Sequence, residues 1–225
     1  MITVTKKEKK DFWKYAESND VRAFGNLVNR LRSENNCTKG DIYARVDCPN
    51  GLTLAHVGAG AKSNAVLNYI LNATEFASQE QFIDFVDEQD KNGRTALMLA
   101  AGNANHTGMR LLLDAGASVT LIDGERSSVL HYAAGNKARN TIILVDLYTR
   151  FRDTGLLDVN YRNYDGETPL HEAAGDGNAE SIFHILDWGA DPTIRSRKKL
   201  TPRGLAEQCG AYEALDAFDS RGITR

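Results

Sequence analysis

The chain has 225 residues, 42% of them hydrophobic and 25% charged, with a formal net charge of −3, which fits a folded protein better than a disordered one. The small net charge argues against a nucleic-acid-binding protein, and no apolar stretch approaches membrane length. Three cysteines, Cys37, Cys48 and Cys209, are odd in number and lack metal-ligand spacing, so a reducing cytoplasmic or nuclear setting is expected.

Residues 1–10 read as a polar segment without the apolar region of a signal peptide, which argues against secretion by that route. A first helix pair is expected over 11–46, with Asn19 and Asp20 between its helices and Phe24, Leu27 and Val28 on the apolar face of the second. Over 47–89 a second pair is expected, with Thr53 as helix cap, His56 in the first helix and Leu67, Ile70 and Leu71 in the next. Its excess residues, 73–84, contain Ser78 and Gln81 at capping-box spacing before Phe82, Phe85 and Val86, which predicts a short extra helical turn. Residues 90–122 repeat the pattern from Gly93 and Thr95 through Met109, Leu112 and Leu113 to Gly116. Over 123–162 Arg126 stands where the turn glycine is expected, Ser128 is the cap, and a long second helix from about Asn140 continues into an insertion at 148–157 that Gly155 stops.

The clearest copy covers 163–195. Asp165-Gly166 supplies a turn, since glycine takes the positive φ of a tight reversal without strain. Thr168 and Pro169 start a helix, because proline at the first helical position loses no hydrogen bond. Ala173 and Ala174 keep that helix slim, Ile182, Ile185 and Leu186 line one face of a second, and Gly189 ends it. A last unit, 196–219, starts at Thr201-Pro202 and mixes Leu215 and Phe218 with Asp216 and Asp219, as a solvated end face would; 220–225 form a tail. Thr53, Thr95, Ser128, Thr168 and Thr201 are separated by steps of 42, 33, 40 and 33 residues, so a unit of 33 residues recurs with two insertions.

The Thr-Pro-Leu-His at 168–171, with Gly189-Ala190-Asp191, resembles the ankyrin repeat, and the resemblance extends over about residues 11–219 as four internal repeats and two caps. It implies an all-α solenoid of stacked helix-turn-helix units with projecting β-hairpin turns, one elongated domain, and binding by the turn tips and the concave first helices. It also implies that His56, His131 and His171 are structural. His106 and His184 have no Cys or carboxylate at ligand spacing, and no nucleophile elbow, phosphate loop or paired catalytic carboxylates occur, so neither an enzyme nor a cofactor is expected.

Residues that the repeat does not demand are the candidate binding site. Arg94, Arg126, Arg162, Arg197 and Lys198 would form a basic rim along the turns, joined by Tyr132, Tyr161 and Tyr164, because binding energy concentrates in tyrosine, tryptophan and arginine. Trp188, just before Gly189, is either a second contact or a cover for the core, as Trp13 is. The function expected is a monomeric, non-catalytic adaptor or inhibitor of another protein with an acidic surface, without nucleic acid or membrane. Alternatives are a targeting or regulatory part of an enzyme system and a pathogen effector. The alternating step lengths are also loosely similar to ankyrin inhibitors of Rel-type transcription factors.

Overall fold

Side-chain caps decide where most of the helices begin. The computed structural model describes residues 3–44, 46, 49–71, 76–136 and 141–224. Thr5 Oγ1 accepts from the Glu8 amide at 3.3 Å and the Glu8 carboxylate accepts from the Thr5 amide at 2.8 Å, a reciprocal box that starts α1, Lys6–Glu17. The expected polar segment 1–10 therefore runs into the first helix, whose buried stripe is Glu8, Phe12 and Ala16. Asp20 caps α2, Val21–Asn35, and a second box, Thr38 with Asp41, starts the short α3, Lys39–Tyr43.

The chain gathers into two compact units, Met1–Ala100 with Asn105–Ser118 and Ala101–Ala104 with Val119–Arg225. Packing between neighbours in a repeat array gives each stretch its own core, so one continuous core is not required. In the first unit α4, Leu54–Gly60, packs on α1, and α5, Asn64–Leu71, packs on α2, α4 and α8, His106–Asp114. Asn19 reaches from the preceding helix pair to accept from the Ala65 and Val66 amides at 3.0 and 3.2 Å, capping α5. The core is formed by Phe24, Val28, Ile42, Leu67, Ile70, Met109 and Leu112, each essentially inaccessible and each contributing about 1.5–3 kcal/mol by burial. The insertion forms α6, Gln79–Val86; Ser78 caps it by accepting from the Gln81 amide, but Gln81 Oε1 turns to the Ala77 amide, so the expected box closes one residue early. Residues 73–75 at the start of that insertion lie outside the described residues.

Helix α7, Ala96–Gly102, spans the division. In the second unit the first helices α9, Val129–Ala134, α11, Pro169–Gly175, and α13, Pro202–Cys209, pack in succession. The second helices are α10, Ile142–Phe151, against α9; α12, Ala179–Asp187, against α11; and α14, Tyr212–Ser220, against α12 and α13. The insertion after α10 is a 3-10 turn at Arg152–Thr154 stopped by Gly155 at φ 70°, as its sequence predicts, while Asn140 lies outside the described residues. The first helices approach closely because Gly102 and Gly135 face the next helix: a Cβ at Gly135 would lie 3.3 Å from the Glu172 Cβ, and one at Gly102 would lie 3.1 Å from the Tyr132 ring.

Candidate functional site

One turn precedes the first helix of four successive repeats. In the first unit the Asp90 amide donates to the Arg94 carbonyl at 2.9 Å and Gly93 donates back to Asp90 at 2.8 Å. The second unit repeats this at Asp123 with Ser127, Asn163 with Glu167, and Ser196 with Leu200. Where the first residue carries a carboxylate or amide, its side chain accepts from loop amides, as Asp123 Oδ1 does from Glu125 at 2.9 Å and Ser127 at 2.6 Å. The expected β-hairpins are reduced to these closed turns, with one antiparallel bridge among the described residues, Ile122 to Ser128, because the arms end almost at once in a helix cap.

The left-handed position of the four turns is held by Gly93, Arg126, Gly166 and Lys199, at φ 76°, 61°, 72° and 64°. Arg126 and Lys199 adopt a conformation that costs a side-chain-bearing residue about 1–2 kcal/mol. Neighbouring tips of the second unit are joined through the main chain, Tyr164 donating to the Glu125 carbonyl at 2.8 Å and Arg197 to the Asp165 carbonyl at 2.7 Å.

Below the tips, the histidines tie repeats together. The Ser128 and Thr168 amides donate to Nδ1 of His131 and His171 at 3.2 and 3.1 Å, so Nδ1 is unprotonated and the proton sits on Nε2. His131 Nε2 then donates to the Glu167 carbonyl and His171 Nε2 to the Leu200 carbonyl, both at 3.1 Å. In the first unit the Thr53 amide bonds His56 in the same way, and His56 Nε2 donates to the Arg94 carbonyl at 2.8 Å. Burial lowers all three pKa values, that of His131 to about 4, which keeps the rings neutral and bonded. Thr95 begins a copy with Met98 at the histidine position, and the Met98 amide bonds Thr95 Oγ1 at 3.2 Å instead.

On this scaffold the second unit brings six of the sequence-predicted site residues together. The Arg126 guanidinium lies 5.9 Å from the Tyr161 ring centroid and 5.8 Å from that of Tyr164, and Arg197 lies 5.9 Å from Tyr164 on the next tip. Arg126 Nη2 also donates to the Tyr161 hydroxyl at 3.3 Å, and the Tyr161 ring meets His131 edge-on at 6.2 Å. Arg162 donates to the Gly166 carbonyl at 3.2 Å and the Arg195 carbonyl at 2.8 Å, and Lys198 is exposed on the last turn. Tyr164 remains 46% exposed, a large apolar surface for a side chain on a turn. Among the described residues, none of these arginines forms an ion pair.

Other predicted residues stand apart from this cluster. Arg94 belongs to the first unit and pairs with Asp90 through two bonds of 2.9 and 2.7 Å. Burial raises the Asp90 pKa, but bonds from the Arg94 guanidinium and from the Arg94 and Asn92 amides outweigh it and hold the carboxyl below its ordinary value. Tyr132 directs its hydroxyl into its own turn, 2.7 Å from Asp123 Oδ2. Trp188 stacks on Tyr148 at 3.9 Å and 11°, and more loosely on His184, on the second-helix side. That stack was not legible as a pair, although an aromatic near the end of each of two successive second helices was its signal. Arg203, just after the last turn, is mostly buried and engages Glu207 and, at 2.9 Å, Asp219.

One acidic group departs strongly from ordinary behaviour. Glu172 occupies the column that Leu99, Tyr132 and Leu205 fill in the other first helices. Burial first, then the charges of Glu167, Asp176, Asp123 and Asp165, raises its pKa from 4.5 to about 7.

Among the described residues, no helix is long and apolar enough to cross a membrane. Ankyrin repeat models match residues 16–123 as three copies and residues 165–197 as one. The chain is 31% identical over 151 residues to the B-cell lymphoma 3 protein homolog of Mus musculus, covering 67% of this chain and 32% of that protein. It is 31% identical over 165 residues to the tyrosine-protein kinase Shark of Drosophila melanogaster, covering 70% and 17%, and 37% identical over 97 residues to human inversin, covering 43% and 9%. It thus spans a third or less of these relatives. A solved complex of a predatory endopeptidase from Bdellovibrio bacteriovorus with an immunity protein contains a similarly folded chain, with a TM-score of 0.70, 21% identity and coverage of 94% of this chain and 98% of that one. The all-helical repeat fold and these matches agree: the chain belongs to the ankyrin repeat family, whose repeats are protein–protein interaction modules.

Proposed function

We propose that this chain is a monomeric, non-catalytic adaptor or inhibitor of the cytoplasm or nucleus that binds an acidic surface of another protein through the turn tips of its second unit. The observation that carries this reading is the set of arginines at 126, 162 and 197, held by tyrosine rings and carbonyls and, among the described residues, in no ion pair with a carboxylate. Charged groups already ordered at a rigid tip lose little freedom on binding, and a complementary partner is steered towards them. Lys198 extends the positive tip, whereas Arg94 is matched by Asp90 in the first unit. An inhibitor that covers its partner is consistent with the similar fold found in the endopeptidase–immunity protein complex.

The test is affinity purification with the full chain and with an Arg162→Ala, Tyr164→Ala variant whose circular dichroism is unchanged. A specific protein captured by the first and lost by the second is expected. Equal capture by both would remove the tips from the site. A second reading, a regulatory part of an enzyme system, is favoured by the matches to tyrosine-protein kinases of Drosophila melanogaster and Hydra vulgaris. It would be preferred if the captured protein were an enzyme whose activity changes on addition of this chain.

A further inference from the structure

Two of the tip cations are held in a fixed relation. Arg126 and Arg197 both lie against the Tyr164 ring, at 5.8 and 5.9 Å from its centroid, so their guanidiniums are no more than about 12 Å apart, the reach of three to four extended residues. The tips that carry them are bonded through the main chain on both sides of Tyr164, by the Tyr164 amide to Glu125 and the Arg197 amide to Asp165. The spacing therefore belongs to the backbone and does not depend on flexible side chains alone. Glu125 and Asp165 are exposed on the same tips, and among the described residues neither forms an ion pair. Tyr164 lies between the cations with 46% of its surface open, an apolar floor between two anion-binding points.

We propose that these tips receive an extended acidic segment of the partner protein, with two carboxylates on one face of the segment, one at Arg126 and one at Arg197, and the intervening chain over Tyr164. This rests on the binding-module reading and adds the form of the ligand. In an extended chain, residues two or four apart share a face and lie about 7 or 13 Å apart, whereas adjacent residues point to opposite faces. Guanidinium suits carboxylate because its planar fork donates two parallel hydrogen bonds.

The experiment is an NMR titration of the full chain, reading the Arg126 and Arg197 Nε–Hε signals, with glycine-serine peptides that carry two glutamates spaced two or four apart, two adjacent glutamates, or two glutamines at the same spacings. Both arginine signals are expected to shift together with a spaced peptide, to saturate at a concentration at least threefold lower than with adjacent glutamates, and to stay in place with glutamines. Tyr164→Phe should retain this response and Tyr164→Leu should weaken it severalfold. No shift, an equal response to the matching glutamine peptide, or tighter binding of an oligouridylate at the same ionic strength would overturn the proposal. A captured protein that is lost on Arg126→Gln, Arg197→Gln while neither spaced peptide gives a shift would overturn this ligand form and leave the binding-module reading standing.

Discussion

Replacing Glu172 by glutamine should stabilise the second unit in a pH-dependent way. The carboxyl sits in an apolar column beside Glu167 and Asp176, and its pKa rises from 4.5 to about 7. Because the folded value lies above the unfolded one, the carboxyl's favourable contribution is complete below about 4.5 and is lost as pH rises through about 7. Each pKa unit corresponds to about 1.4 kcal/mol, so keeping this side chain ionised at a pH of about 8 costs on the order of 3 kcal/mol. Glutamine keeps the shape and removes the charge. Glu172→Gln should therefore raise stability by about 2–3 kcal/mol at a pH of about 8 and by almost nothing at a pH of about 4. The assay is urea unfolding in a Trp13→Phe background, where Trp188 is the only tryptophan and reports on the second unit. An equal gain at both pH values, or none at the higher one, would refute the argument that burial and like charge strain this group.

His131 has the opposite dependence. Its folded pKa of about 4 lies below the ordinary 6.5, so the stability it lends is complete above 6.5 and is lost as pH falls through about 4; imidazole nitrogen NMR should show the Nε2-protonated tautomer until that range. Gly166→Ala should destabilise the second unit by about 1–2 kcal/mol in thermal melts, since φ is 72° and the new Cβ would press the Arg197 amide at 3.3 Å. Lys199→Gly should do the reverse by up to about 1 kcal/mol, because glycine accepts the same φ without strain. Tyr148→Ala should shift Trp188 emission to longer wavelength while leaving the tip cluster intact, because Tyr148 covers one face of the indole.

Much of the fold is legible because its rules are local. Gly166 and Gly189 take the positive φ that their places in the repeat demand, Gly155 takes it as the stop of its insertion, and Ile182 and Ile185 are buried as their spacing requires. Start signals were harder where charge disguised them. With lysines at 6, 7, 9 and 10, residues 1–10 read as a polar segment, yet Glu8 between them closes a box with Thr5 and lies beneath Arg30 at 2.8 Å. Thr38 and Asp41 form an equally readable box before α3, but it falls where the repeat pattern has no helix. At the site, sequence located the basic residues and could not tell which were already matched. Asp90 takes Arg94, whereas Asp123 is occupied by Tyr132 and its own loop, leaving Arg126 to the tyrosines.

The histidine bonds also give the chain a sense of direction. Each ring receives its tautomer from the helix cap just before it and delivers its proton to a carbonyl in the following turn, from His131 to Glu167 and from His171 to Leu200. A truncation that removes a preceding repeat uncovers a carbonyl, whereas removal of the turn at Ser196–Leu200 takes away the acceptor of the His171 N–H and opens a ring that is buried in the intact chain. Loss of order should therefore pass more readily backward from the Thr201 repeat than forward from Ser128, making that last repeat the lock on the tips that precede it.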